Sequence, residues 1–337
     1  MASLWPPLID TPPDLSGKVI LVTGGTGSFG RAFVTRLLEQ HAPAKVIVFS
    51  RDEQKHFTMQ REFDDPRLRF FVGDIRDRLR LLRALRGVDI VVHAAAMKHV
   101  PLAEYNPIEA IKTNVDGAAN LIDAALEREV ETVIGLSTDK AASPVNLYGA
   151  TKLCMEKLLV AANSYSGAEG TRFRLVRYGN VIGSKGSVLP LFLNQRETGT
   201  LTLTEPSMTR FWIRMEQAID LVMLTLRDGH GGEVFVPKIP ACTVATLAEA
   251  VAPEAEKKVI GIRPGEKIHE LMITKDESRS VIEYERHFVI TPNFPWWGGP
   301  RREGERVPEG FHFSSDIATQ LDVPTVRAML REAGYPV

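Results

Sequence analysis

The chain has 337 residues, 44% hydrophobic and 25% charged, with a formal net charge of −1. Those values describe a globular protein with room for one large or two smaller domains, and they exclude a general electrostatic pull toward nucleic acid or anionic membrane. No apolar run approaches the roughly 18 residues of a membrane helix, and Met1–Gly17, with Pro6, Pro7, Pro12 and Pro13, lacks the features of a signal peptide; the expectation is a cytoplasmic protein without a nucleic-acid or membrane partner.

Val19–Val22 predicts a buried strand and Gly30–Gln40 a helix. Lys45–Phe49, Leu68–Val72, Val88–Val92, Thr132–Leu136 and Phe173–Val176 continue the strand series. Continuous apolar strands, each followed by a helical stretch, imply a parallel sheet covered on both faces, a doubly wound α/β (Rossmann) domain expected over 18–180. Residues 1–17 read as an N-terminal extension. After Gly179 the rhythm loosens, with Gly183, Gly186, Pro190, Gly199 and Pro206 punctuating short pieces such as Leu201–Leu203. A helix at Glu216–Arg227 returns segment 207–231 to the first domain, and 181–206 with 232–337 form a smaller substrate-binding lobe and tail. Cys154 and Cys242 read as two buried free thiols. His93, His99, His269, His287 and His312 lack metal-ligand spacing, so no metal site is expected. Arg78, Arg80, Arg83 and Arg86 read as the solvated face of a helix, and Trp296–Trp297 as an aromatic pair packing its own loop.

Thr23-Gly24-Gly25-Thr26-Gly27-Ser28-Phe29-Gly30 follows the first strand and opens the first helix. Glycines there let backbone N–H groups approach a pyrophosphate at a helix N-terminus, so Gly24, Thr26, Gly27, Ser28, Phe29 and Gly30 are expected against a dinucleotide. The second strand ends at Ser50-Arg51-Asp52-Glu53-Gln54-Lys55. An NAD site usually places a carboxylate at that strand end; Ser50, Arg51 and Lys55 offer donors to a 2′-phosphate instead, which favours NADP. Asp52 and Glu53 also lie in this zone, where they equally fit a solvated charge run. Asp74 and Ile75, after the third strand, are placed to meet the adenine, and Ala94 to let the cofactor lie against backbone.

Tyr148 and Lys152 are four residues apart, on one face of a helix. A neighbouring ammonium favours the phenolate, which suits Tyr148 to taking a hydroxyl proton during hydride transfer. Asp139 and Lys140, eight to nine residues earlier, add an acid and an amine that oxidation alone does not need. Once C4 of a hexose is a ketone, loss of water requires a base at C5 and an acid at C6. A desolvated Lys140 can serve as an amine base and a buried Asp139 as a protonated acid. An exposed Asp-Lys turn capping the helix is the alternative.

These strings, with His93–Pro101, Ser137–Ala142, Asn146–Lys152, Arg177–Val181, Met208–Trp212 and Gly261–Lys267, resemble the extended short-chain dehydrogenase/reductases. More closely the chain is similar to the inverting UDP-N-acetylglucosamine 4,6-dehydratases of pseudaminic acid biosynthesis, from Lys18 to about Ser315. The resemblance implies an NADP-containing homo-oligomer acting on a UDP-sugar, with Lys140 as C5 base and Asp139 as C6 acid. It implies that Thr138 holds the sugar, that Lys98, Asn180, Val188 and Arg210 contact substrate, and that Arg263 and Glu266 reach the nucleotide. It also implies cofactor contacts from Lys98, Leu136, Ser137 and Val181. A 4-epimerase would share Tyr148 and Lys152 but has no use for Asp139 and Lys140, and a C5-retaining dehydratase would share the chemistry but not the stereochemistry. An NADP-binding sensor or scaffold would not need the intact Tyr148–Lys152 pair. Met1–Gly17, Pro295–Arg302 and Asp316–Val337 depart from the family pattern.

Overall fold

The computed structural model describes residues 5–167, 170–184, 188–294 and 302–337; Gly186 and the Trp296–Trp297 pair lie outside them. The first half runs β1 (Val19–Thr23), α1 (Ser28–Gln40), β2 (Lys45–Ser50), α2 (Glu53–Glu62), β3 (Leu68–Val72), α3 (Arg78–Ala84) and β4 (Ile90–His93). Short helices α4 (Val100–Tyr105) and α5 (Pro107–Ile111) lead into α6 (Gly117–Glu127), then β5 (Thr132–Thr138), α7 (Leu147–Ala162) and β6 (Arg172–Tyr178). Strand order β3-β2-β1-β4-β5-β6, all parallel, is the doubly wound arrangement, with its switch point between β1 and β4. Ligands bind outside the strand C-terminal ends at such a point.

Alternate residues of each strand feed opposite cores, as the two-residue period of a strand requires. Leu21, Val91 and Val133 pack with Leu81, Leu121, Met155 and Leu159 beneath α3, α6 and α7. Ile20, Val22, Ile90, Val92 and Ile134 pack with Phe33, Leu37, Val222 and Leu224 on the other face, beneath α1 and the helix Met215–Asp228. That helix is the one expected at Glu216–Arg227.

The central sheet extends beyond residue 231. Val234–Pro237 pairs in parallel with β6 and antiparallel with His287–Ile290, and Val281–Glu283 and Glu305–Arg306 follow. Part of the segment expected in the second lobe therefore lies in the main sheet: Phe235 and Val289 are apolar strand residues that complete the α1-side core. A separate core gathers Leu189, Phe192, Leu201, Trp212, Leu247, Val251 and Met329. The tail from Asp316 contributes to it through the helix Val323–Glu332, whose N-cap Asp322 accepts from the Thr325 N–H.

The Pro-rich lead is bound along the protein from Trp5 onward. Leu8, Ile9 and Leu15 are buried in the α1-side core and Trp5 in the second one. The Leu8 N–H donates to Asp220, and Arg227 and Arg286 donate to the Thr11 and Pro7 carbonyls. Cys242 is buried, but Cys154 is exposed; it lies on the solvent side of α7, whose inward positions are taken by Thr151, Met155 and Leu159.

Candidate active site

The Gly-rich turn connects β1 to α1 as its sequence requires. Gly24 has φ +65°, and a Cβ there would stand 2.8–2.9 Å from the Ala94–Ala95 backbone. No side chain caps α1, whose N-cap is Gly27, so its first-turn N–H groups are left for an anion. Thr26 Oγ1 meets Ser50 Oγ at 2.9 Å, closing the turn onto the end of β2. Phe29 stacks on Phe33 along α1. These residues fit a dinucleotide pyrophosphate.

At the end of β2, Asp52 is the N-cap of α2 and pairs with Lys55 Nζ at 2.6 Å. Glu53 is exposed in the first turn. Arg51, 56% exposed, lies 3.7 Å from Asp74 Oδ2. Burial would raise the Asp74 carboxyl, but its hydrogen bonds to Arg76 hold it below the ordinary carboxylate range. Ile75 is buried against α6 at Gly117.

The catalytic candidates converge at the C-terminal end of β5. Thr138 caps a single helical turn, Asp139–Ala141; its hydroxyl donates to Asp139 Oδ1 at 2.8 Å. Lys140 Nζ lies 3.1 Å from Asp139 Oδ1 and 3.5 Å from Asn180 Oδ1. Helix α7 brings Tyr148 to this cluster because Gly149 lies against the turn: a Cβ at Gly149 would stand 2.1 Å from the Lys140 carbonyl oxygen. Asn146 caps α7 through the Gly149 N–H and donates to the Gly265 carbonyl, tying in the loop of Arg263 and Glu266, which pair at 3.9 Å.

One residue central to the cluster carries no local signal in the sequence. Glu270, 3% exposed, lies 3.4 Å from Lys140 Nζ, 3.7 Å from Lys267 Nζ and 4.0 Å from Arg210 Nε. Asn114, behind the cluster, is a second residue the sequence reading missed: its amide bonds both the N–H and the carbonyl of Met97 and the Thr151 hydroxyl, joining the segment after β4 to α7. The string Asn114-Val115-Asp116-Gly117 marks it only weakly, since it falls in a one-turn π-helix between α5 and α6.

Burial pushes the Asp139 carboxyl up, and repulsion from Glu270 adds to this against the pull of Lys140. Burial would also raise Glu270, but Lys140, Arg210 and Lys267 hold it below the usual range. Two carboxylates thus face one ammonium, the Asp139 carboxyl held above its ordinary range and the Glu270 carboxyl below its own. Asp139 Oδ2 has no hydrogen-bond partner among the described residues. Burial alone would lower Lys140; Asp139 and Glu270 overcome it and raise the amine above its ordinary value. The expected neutral lysine is therefore not the ground state here, because two carboxylates face it.

Two further expectations differ from the geometry. Burial pushes the Tyr148 phenol up to about 12, with Lys140 opposing and Asp139 adding to the rise; Lys152 is not among its charged neighbours. Lys152 Nζ contacts Met155 Sδ at 3.0 Å, and burial brings its amine down to about 8. The Ser137 hydroxyl turns from the cleft to Glu156, which is clamped by the buried Arg177. Leu136, Val181 and Thr138 line the strand ends, all buried. Arg210 donates to the Thr209 and Ile268 carbonyls. Lys98 is partly desolvated, which lowers its amine, and Val188 opens the helix Val188–Arg196.

The family model described as "Polysaccharide biosynthesis protein" matches residues 20–292. The chain belongs to that family. It is 50% identical, over 89% of its length and 92% of the relative's, to a Campylobacter jejuni protein named UDP-N-acetylglucosamine 4,6-dehydratase (inverting). It is 44% identical, over 81% of its length and 82% of the relative's, to a Rickettsia conorii protein named UDP-glucose 4-epimerase. Among solved structures it is similar to Pen from Bacillus thuringiensis, with TM-score 0.87 and 38% identity over 95% of this chain and all of that one. DesIV, the dTDP-glucose 4,6-dehydratase from Streptomyces venezuelae with NAD and TYD bound, matches with TM-score 0.67 and 28% identity over 74% and 86% of the two chains. The Rossmann fold read from the strand series is the fold of these neighbours. Among the described residues no helix is long and apolar enough to cross a membrane.

Proposed function

We infer that this protein is a UDP-N-acetylglucosamine 4,6-dehydratase that inverts C5, giving a UDP-2-acetamido-2,6-dideoxy-4-keto sugar of L-arabino configuration. The observation that carries the reading is the pair of buried Asp139 and half-buried Lys140, 3.1 Å apart, beside Tyr148. Epimerisation at C4 needs a tyrosine but neither an acid nor an amine at the neighbouring carbons. The name of the Campylobacter jejuni relative supports the same substrate and outcome.

The glycine turn, Ser50, Arg51 and Lys55 would hold NADP, with Arg51 the fork for a 2′-phosphate. When bound, the nicotinamide supplies an acceptor for the C4 hydride and a donor that returns it at C6. Lys140, together with the positive charge of the bound oxidised nicotinamide, would favour the Tyr148 phenolate, which takes the C4 hydroxyl proton. Transfer of one proton from Lys140 to Asp139 across their 3.1 Å contact yields both groups that elimination needs, an amine and a carboxylic acid. Lys140 then removes the C5 proton, Asp139 protonates the C6 hydroxyl, and water leaves. With the hydride returned to C6, the proton that Tyr148 took from the C4 hydroxyl would be delivered to the opposite face of C5, which restores the Tyr148 phenolate and completes the inversion. Thr138 and Asn180 would orient the sugar, and Arg210, Arg263 and Glu266 the nucleotide side. We further assign the product to pseudaminic acid or a related surface glycan, and the working form to a cytoplasmic homo-oligomer.

Lys140→Ala tests the assignment: water loss should cease while NADP remains bound. Normal turnover by that variant removes Lys140 from the base role.

A further inference from the structure

We propose that Glu270 is a positioning residue for the C5 base, holding Lys140 at the reacting carbon and stabilising the ammonium formed when Lys140 takes the proton. This rests on the dehydratase reading and extends it to a residue outside the Ser137–Lys152 region. The groups facing Lys140 are Asp139 beside it, Tyr148 from α7, Arg210 from the strand Thr209–Ile213, and Glu270. Those facing Glu270 are Lys140, Arg210, Lys267 and, as a like charge, Asp139, and Lys267 also faces Asp139. Glu270 is fixed from behind. Its N–H donates to Ser315 Oγ, and Ser315 Oγ bonds the Thr209 hydroxyl and carbonyl. Lys267 Nζ is itself anchored on the Ala142 carbonyl at 2.7 Å.

That arrangement has a chemical consequence. In an isolated Asp-Lys pair that has exchanged its proton, an ammonium newly formed on the lysine has no carboxylate to pair with, because the aspartate holds its proton. With Glu270 ionised 3.4 Å away, the amine remains strongly basic after Asp139 has taken the first proton. When Lys140 accepts the C5 proton its new charge is paired at once, and Asp139 can give its proton to the departing C6 oxygen. Arg210 and Lys267 keep Glu270 from competing with Asp139 for that proton. The proton count balances: one leaves C5 for Lys140, one leaves Asp139 with the water.

Glu270→Gln removes the charge and keeps the shape. In the NADP-loaded enzyme, kcat should fall roughly ten- to a hundredfold with KM for UDP-N-acetylglucosamine nearly unchanged. C4 oxidation would outrun elimination, so the absorbance of reduced nicotinamide should build up in the steady state. The acid limb of the kcat–pH profile should move to lower pH, because the base has lost a stabilising anion, and Glu270→Asp should restore part of the rate. Wild-type kcat and profile, a rise in KM alone, or loss of bound NADP in both Glu270 variants would each overturn the proposal. Lys140→Ala run in parallel separates the levels. If it turns over normally, the dehydratase assignment of Lys140 fails; if it is inactive while Glu270→Gln is unaffected, only the role of Glu270 falls.

Discussion

Asn146 Nδ2 donates to the Gly265 carbonyl at 2.7 Å while Asn146 Oδ1 accepts from the Gly149 N–H at 2.8 Å. One amide therefore starts the helix that carries Tyr148 and fastens to it a loop 119 residues away. Asn146→Ala should cost about 1 kcal/mol through the cap alone. It should also raise KM for the nucleotide sugar, because the Arg263–Glu266 loop loses its tether. NADP affinity should be unchanged, since the glycine turn is elsewhere. Denaturant midpoints with steady-state kinetics check both halves; unchanged KM would detach that loop from substrate binding.

On the proposed reading, cofactor choice is decided at the end of β2. Arg51→Ala should weaken NADP binding by roughly tenfold or more and leave NAD nearly unaffected, the loss of one charge-assisted fork. Titration of each dinucleotide into both proteins measures this. Equal losses for NADP and NAD would mean that Arg51 does not meet a 2′-phosphate.

Gly24→Ala combines a strained φ of +65° with a Cβ 2.8–2.9 Å from the Ala94–Ala95 backbone. Both segments leave adjacent parallel strands, β1 and β4, and the Ala94 N–H donates to the Thr23 carbonyl, so neither has freedom to yield. The variant should be destabilised by about 1–3 kcal/mol and should purify without bound cofactor. Thermal denaturation and the nucleotide content of the purified protein give the answer.

His93 ends β4 in full burial, its Nδ1 on Thr23 Oγ1 at 2.8 Å. Burial, reinforced by Lys152, pulls its imidazole down to about 3. The folded value lies below the unfolded one, so stability is complete above the ordinary histidine range and drains away as pH falls toward about 3. Each pH unit in that window removes up to about 1.4 kcal/mol. His93→Asn should be less stable at neutral pH but show a flatter decline with acid. Denaturant unfolding between these limits tests it, and parallel slopes for the two proteins would contradict the burial argument.

Local patterns disclosed the first half of this molecule. Apolar strands of four to five residues, a glycine turn and Asp139-Lys140-x7-Tyr148 each act over a few residues, and the structure brings Thr138, Asp139, Lys140, Tyr148 and Asn180 together at one strand end. What escaped was long-range. Glu270 reaches Lys140 because Ser315 and Thr209 fix its backbone, a relation with no sequence period. Val234–Pro237 joins the main sheet through β6 for the same kind of reason. Helical spacing placed Tyr148 and Lys152 on one face, but it could not say that Lys152 would contact Met155 Sδ and leave Tyr148 to Lys140.

The most direct test is proton NMR of the purified protein turning over UDP-N-acetylglucosamine in D2O. A 6-deoxy-4-keto product carrying deuterium at C5 in the L-arabino configuration is the predicted result. A D-xylo product would contradict the inversion, and UDP-N-acetylgalactosamine as sole product would replace the dehydratase with an epimerase.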